Sequence, residues 1–352
     1  MTFGRIQKAG SHVAVITITS LLMIWGGLLG FITYTNSVSH AAQAELHPVD
    51  ITEWTVPWEG TRPRDPFVAT DRRVWFVGQA GDYLAVLDPQ TGTFRQYPLD
   101  PGTGPHNLIV DPEGFVWYAG NRTAHIGKLN PSTGRIVKYP MPNASAMDPH
   151  TLVFGEPGTI WFTVQHGNYI GRLTMNSGSV LLTPLLSQNA RPYGIVVDEA
   201  KVPWFTEFGT NKLGTVNPQT NSVQEISLPR PEVRPRRLAI TSDGGVWYVD
   251  YAGGYFGRFN PQTATVKEWP APSNEDSRPY GIAVDDRDRI WFVETGVLPN
   301  RLIGFDTQTE QVISMTAIKS GGGTVRHMFY HQTTQTVWFG TDANTIARVI
   351  LP

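Results

Sequence analysis

The chain of 352 residues has no cysteine. That excludes disulfides, thiolate metal sites, a thiol nucleophile and a lipidated cysteine. Charge is scarce too, at 16% of residues against a usual share of about 25%. A net charge of −2 gives no global attraction to nucleic acid, which is not expected as a partner. No Ser-His-Asp order, phosphate-cradling loop or HExxH motif is present. Long helices are also missing from the expectation. The 35 glycines and 27 prolines exceed the roughly 12% of an average domain, and each one inside a helix costs about 1 to 3 kcal/mol. Aromatics at 11% and the low charge argue against disorder. A many-turned β protein with a large aromatic core is what remains.

The first 44 residues are of another kind. Arg5 and Lys8 precede VAVITITSLLMIWGGLLGFITY, Val13 to Tyr34, which carries no charge. As a helix it is long enough to span the roughly 30 Å of hydrocarbon in a bilayer. The positive residues before it and Glu45 and Asp50 after it place the N-terminus in the cytoplasm and the body outside. A cleaved signal peptide is the alternative, with Leu21 to Ile32 as its apolar core and Ala42-Gln43-Ala44 as an A-x-A-like cleavage site. Residues 1–44 thus read as a leader and signal-anchor, and 45–352 as an exported body. That body is periplasmic and held at the inner membrane by residues 13–34, or secreted if cleaved after Ala44.

Beyond residue 44 one unit is written seven times. A tryptophan within a short apolar run recurs at Trp75, Trp117, Trp161, Trp204, Trp247, Trp291 and Trp338, about every 43 residues. Each unit reads as four short strands divided by turns, the pattern of a propeller blade. The Asx-Pro pairs Asp88-Pro89, Asn130-Pro131, Asn217-Pro218 and Asn260-Pro261 are turns, because the Asx side chain bonds ahead to the backbone while proline presets φ. The seventh unit stops after its third strand, Ile346 to Leu351. Ile51 to Pro57 matches the fourth-strand pattern of Ile136 to Pro140 and Val266 to Pro270. The expected fold is therefore an all-β, seven-bladed propeller of four-stranded blades, closed by an N-terminal strand that removes exposed sheet edges.

In such a ring the start of each innermost strand faces the axis. Those positions hold Arg64, His106, His150, Tyr193, Arg236, Tyr280 and Arg326, most of them after a proline that fixes the entry to the strand. Two residues earlier stand Arg62, Gly104, Asp148, Arg191, Arg234, Arg278 and Thr324. Three or four residues after the Trp come Gln79, Asn121, Gln165, Glu207, Asp250 and Glu294, expected at the same mouth. Low-dielectric walls there would focus the field of these charges. Arg–carboxylate ladders are also a common way to fill a propeller's axis, so a purely structural ring stays open as an alternative. His106, His150 and Asp148 stand out as a trio for chemistry or ligand binding.

The repeat seen in Arg191-Pro192-Tyr193-Gly194-Ile195, Trp204-Phe205-Thr206-Glu207 and Asn168-Tyr169-Ile170-Gly171-Arg172 resembles the streptogramin B lyase (virginiamycin B lyase) family of seven-bladed propellers. The resemblance covers Ile51 to Pro352, although NHL and gluconolactonase-like propellers share much of the repeat. Sharper is a Pro-His in one blade, Gly104-Pro105-His106, followed a blade later by Asp148-Pro149-His150. The resemblance implies His150 as general base and His106 as second catalytic histidine. It implies Asp148 beside a Mg²⁺ ion in place of the family's glutamate, and Gln165 where the family has a further acid. Here the pair sits on the second and third Trp units, whereas the lyases carry it on the last two.

Two functions follow as expectations. One is Mg-assisted β-elimination that opens a cyclic ester: the metal polarises the ester carbonyl and a histidine base removes the neighbouring Cα proton. The other is a non-catalytic, membrane-anchored binding or scaffold propeller for an anionic ligand or a membrane-protein partner. Its ligand residues would be Arg64, Tyr193, Arg236, Tyr280 and Arg326 with Glu207, Asp250 and Glu294, since guanidinium forks suit carboxylates and phosphates.

Overall fold

A computed structural model of the chain describes residues 46–352; the apolar stretch Val13 to Tyr34 and the Ala42–Ala44 site lie outside the described residues. Among the described residues no helix is long and apolar enough to cross a membrane. Twenty-eight strands, β1 to β28 in chain order, form seven separate four-stranded antiparallel sheets. The first blade comprises β2 (Pro63–Val68), β3 (Val74–Gly78), β4 (Tyr83–Asp88) and β5 (Thr93–Pro98). The other innermost strands are β6 (Pro105–Val110), β10 (Pro149–Phe154), β14 (Pro192–Val197), β18 (Pro235–Ile240), β22 (Pro279–Val284) and β26 (Met328–His331). Each packs on the inner strand of the next blade, and β2 packs on β26, which closes the ring.

Closure uses the N-terminal strand. β1 (Ile51–Thr55) pairs antiparallel with β28 (Thr345–Ile350), Ile51 opposite Val349 and Thr55 opposite Thr345. Side chains repeat the device used elsewhere. Trp75 lies 5.2 Å from Tyr97, Trp117 5.7 Å from Tyr139 and Trp247 5.2 Å from Trp269. In the closing blade Trp54 stacks on Trp338 at 5.6 Å, the same second-strand to fourth-strand pairing made by the two ends of the chain.

Burial explains the repeat's grammar. The Trp-bearing second strands are buried along nearly their whole length, as in VWFVG and VWYAG, because blades cover them on both faces. Outer strands such as β5 alternate exposed and half-buried residues, as a strand with one solvated face must. An indole buried this deeply needs a partner for its N–H. Asp111, Asp198 and Asp285, six residues before Trp117, Trp204 and Trp291, accept that bond at 2.8, 3.1 and 2.9 Å. The glycine of the third-strand IGR-like motif has its own cause. A Cβ on Gly171 would stand 2.1 Å from the Phe162 ring, and one on Gly127 2.1 Å from Tyr118. The aromatic beside each of these tryptophans lies flat on a neighbouring strand that must be bare.

One irregularity sets up the site. In six blades the inner strand has one more residue than its partner, between Pro105 and Leu108 and at the equivalent points. This is a β-bulge, which re-aims side chains. In four of these blades two consecutive side chains, such as His106 with Asn107, reach the axis in place of one; in the other two the second residue is Gly194 or Gly281.

Gly171→Ala is expected to overpack Phe162 and lower stability by about 1 to 3 kcal/mol, read as a lower denaturant midpoint; an unchanged midpoint would refute the close-approach account.

Candidate functional site

Seen from the strand-entry face, the first residues of the bulges form a stack of rings across the axis. His106 and His150 lie with ring centroids 3.4 Å apart, and His150 lies 4.1 Å from Tyr193. Tyr193 is hydrogen-bonded through its hydroxyl to that of Tyr280, two blades further on. Arg236, from the blade between them, donates from Nη1 to the Tyr280 hydroxyl at 2.8 Å. Its guanidinium sits 4.1 Å from both Phe208 and Tyr251 and 4.4 Å from Tyr280. Arg64 donates from Nη1 to Gln79 at 3.1 Å. Arg326 is held at the rim in a two-pronged ion pair with Asp342.

Beneath this ring lies a second, which the repeat pattern alone did not reveal. It consists of the second bulge residues Asp65, Asn107, Thr151 and Arg237, all buried. Arg237 crosses the axis. It donates to Asp65 Oδ2 at 3.1 Å, to Thr151 Oγ1 at 3.0 Å and to the Arg326 carbonyl at 3.1 Å. Asp65 also accepts from Arg64 Nε and Asn107 Nδ2, each at 3.0 Å. Thr151 Oγ1 is 2.9 Å from His150 Nδ1, so this lower ring orients the upper histidine. The only sequence signal for it was a polar residue following the ring position in these blades.

Electrostatics follow from burial. Loss of water pushes the His106 and His150 imidazoles well below their ordinary value, and the nearby arginines push the same way. Both are neutral at neutral pH. His327 is pushed down to about 3 by burial first and then by Arg237. Burial alone would raise the Asp65 carboxyl, but Arg64 and Arg237 outweigh it and hold it below the usual range. For Tyr193 burial also opposes ionisation. The charges of Arg64, Arg236 and Arg237 and the bond from Tyr280 prevail, and its phenol lies below the ordinary value.

The expected acids are placed elsewhere. Glu207, Asp250 and Glu294 stand opposite Pro192, Pro235 and Pro279 in the register, and alternation turns them away from the axis. Asp250 accepts from Arg230 at 2.8 Å, and Glu294 pairs with Arg301 at 2.7 Å. The residues after them, Phe208, Tyr251 and Thr295, are the counterparts of Gln79, Asn121 and Gln165. The reading "three or four after the Trp" merged two positions that face opposite ways. Glu207 is fully buried, with Thr210 on Oε2 at 2.7 Å and no partner on Oε1. Burial raises its carboxyl to about 7, with Glu225 adding to the effect.

Asp148 is not beside His150. Its two oxygens accept from the backbone of His166 at 2.7 Å, from His166 Nδ1 at 2.6 Å and from the Gly167 N–H at 3.1 Å. It thereby fastens the loop that follows Val164. Gln165 is half-buried and offers a neutral amide. Among the described residues no three His, Asp or Glu side chains converge to hold a metal ion. Mg²⁺ prefers carboxylates, and one carboxylate already engaged by three donors does not fit it. Of the trio, the structure brings together His106 and His150 and leaves Asp148 at the rim. His125 packs on Tyr118 within its own blade.

The comparisons agree with this geometry at the level of fold. The virginiamycin B lyase family model matches residues 30–299, so the chain belongs to that family. None of the curated proteins matches it in sequence. Among solved structures it is similar to the virginiamycin B lyase of Staphylococcus aureus, with 24% identity and a TM-score of 0.78 over 86% of this chain and 99% of that one. A streptogramin B lyase structure gives 25% identity and a TM-score of 0.77 over 86% and 98%. A catalytically inactive histidine-to-alanine variant of the S. aureus lyase, crystallised with quinupristin, gives 23% and 0.78 over 86% and 99%.

Two outcomes test the site's electrostatics. Arg237→Met leaves Asp65 with one guanidinium in the buried axis and is expected to cost about 3 to 5 kcal/mol, read by denaturant unfolding; a change near zero would show that the pair is dispensable. Glu207, whose folded pKa is raised, stabilises fully below the unfolded value of 4.5, and this contribution is lost as pH rises through about 7. Glu207→Gln is therefore expected to match wild type in melting temperature near pH 4 and exceed it at pH 8, and equal curves at both pH values would refute the assignment.

Proposed function

We propose that the chain is an exported, membrane-held propeller whose mouth binds a small organic anion. One observation carries this reading. Arg64, Arg236 and Arg237 reach the axis with a single carboxylate, Asp65, in ion-pair contact with any of them. Arg64 Nη2 and Arg236 Nε are buried and have no hydrogen-bond partner. Buried donors of this kind are costly unless something fills their valence. A carboxylate or phosphate supplies both the charge and the acceptors that guanidinium forks match. The rings of Tyr193, Phe208, Tyr251 and Tyr280 form apolar walls for the rest of the molecule, as small-molecule sites require.

A second reading rests on the neutral pair His106 and His150, which is free to accept a proton from an activated C–H as an elimination requires. The S. aureus relative is by name a virginiamycin B lyase. Here Asp148 and Gln165 do not supply a Mg²⁺ donor set.

The test uses the full-length chain in mild detergent. Benzoate, succinate and citrate are compared with the corresponding amides by thermal unfolding. A carboxylate at about 100 times its Kd is expected to stabilise by roughly 2.7 kcal/mol, with loss of the effect in Arg64→Met and Arg236→Met. Equal response to acids and amides would overturn the anion reading. The same preparation is incubated with quinupristin and followed by mass spectrometry. Ring opening that disappears in His150→Ala would favour the elimination reading, and intact drug would reject it. Recovery of the chain from the soluble fraction without detergent would count against the anchor.

A further inference from the structure

We propose that Tyr193 is an acid–base group of the mouth, a phenol that releases its proton to become the anionic acceptor at the axis. The first argument is charge. Three guanidiniums reach the buried axis and share one carboxylate, since Asp65 is the acid that pairs with both Arg64 and Arg237 while Arg236 pairs with none. Two positive charges are left without a carboxylate, one of them on the half-buried Arg236, and unpaired charge is costly where water is scarce. The side chains of the upper ring that can carry negative charge are the phenols of Tyr193 and Tyr280, since His106 and His150 are neutral or cationic in every form.

The second argument is direction. The Tyr280 oxygen already accepts from Arg236 Nη1 at 2.8 Å. Its own O–H is then free to donate to Tyr193. In the proposed state donation runs Arg236 to Tyr280 to Tyr193, with Tyr193 as the terminal acceptor. Arg236 and Arg237 stand 5.2 and 5.4 Å from the centre of its ring. Of its charged and titratable neighbours, Arg64, Arg236 and Arg237 are cations that favour the anion, and His106, His150 and Tyr280 carry no charge; the Asp65 carboxylate in the ring beneath opposes it and is itself engaged by Arg64 and Arg237. The fall of the Tyr193 phenol below its ordinary value has the same causes.

Ionisation moves one proton from the Tyr193 hydroxyl to solvent and leaves a phenolate bonded to the Tyr280 O–H. In the reverse step the phenolate takes a proton from an acidic group of a bound molecule and becomes a phenol. With His150 4.1 Å away, the mouth would then hold a phenolate and a neutral imidazole side by side. For ligand binding the inference rests on the anion reading above. A bound carboxylate competes with the phenolate for the same guanidiniums, so binding is expected to draw a proton onto Tyr193.

The test is a ligand-free ultraviolet titration of the full-length chain, so it succeeds or fails independently of anion binding. One of the 12 tyrosines is expected to form phenolate in a separate step ahead of ordinary phenols, which titrate near about pH 10. Tyr193→Phe is expected to lose that step. Tyr280→Phe and Arg236→Met are expected to move it to higher pH, since each removes a link that stabilises the anion. A wild-type curve without an early step, or an early step that survives Tyr193→Phe, would overturn the proposal. If that variant fails to fold, an early step unmoved in both other variants would overturn it equally.

Discussion

The Asp65 carboxylate at the axis is the interaction on which the rest of this site depends. It is buried, it accepts from Arg64, Arg237 and Asn107, and through Arg237 it links the first blade to the third, the fifth and the seventh. An ion pair of this depth is weak evidence of net stabilisation, because desolvation offsets much of the attraction. Its consequence is geometric. Inner strands from opposite sides of a ring are joined by directional bonds that apolar packing would not supply, so the bulge residues above them have fixed places. His150 takes its orientation from Thr151, which Arg237 also holds.

Above that layer, electrostatics and burial work against each other in a way that separates the residues by role. Desolvation keeps the histidines neutral. The same desolvation strengthens the field of the guanidiniums, which is enough to reverse the effect of burial on Tyr193. Arg236 is half-buried against Phe208, Tyr251 and Tyr280, whose ring faces stabilise its charge. This chain shares its fold with the lyase relatives, and its mouth is assembled from arginines, phenols and histidines. Function resides in such sites and not in the fold that carries them.

Much of the fold was legible because it is repetitive. The recurring Trp marked seven second strands, the Asx-Pro turns marked strand ends, and the unfinished last unit pointed to Ile51 to Pro57, where β1 indeed completes the seventh sheet. The upper ring was legible for the same reason: Arg64, His106, His150, Tyr193, Arg236 and Tyr280 occupy one position of the repeat. What could not be read was the bulge, since one extra residue per inner strand leaves the spacing to the Trp almost unchanged. With it went Asp65, Asn107, Thr151 and Arg237. The acids at Glu207, Asp250 and Glu294 were misjudged as mouth residues because a one-residue difference in a strand reverses the face.

The sequence by itself determined the ring: seven units, four strands each, a Trp needing a buried partner, and a glycine where Tyr118, Phe162, Phe205 and Tyr248 lie on the neighbouring strand. These are local or nearest-neighbour requirements, and a linear pattern records them. Only the tertiary structure decided the chemistry of the axis, where residues from six blades meet at distances that no spacing along the chain encodes. Whether an arginine there is a strut or a ligand donor depends on how many carboxylates reach it, and that number exists only once the ring has closed.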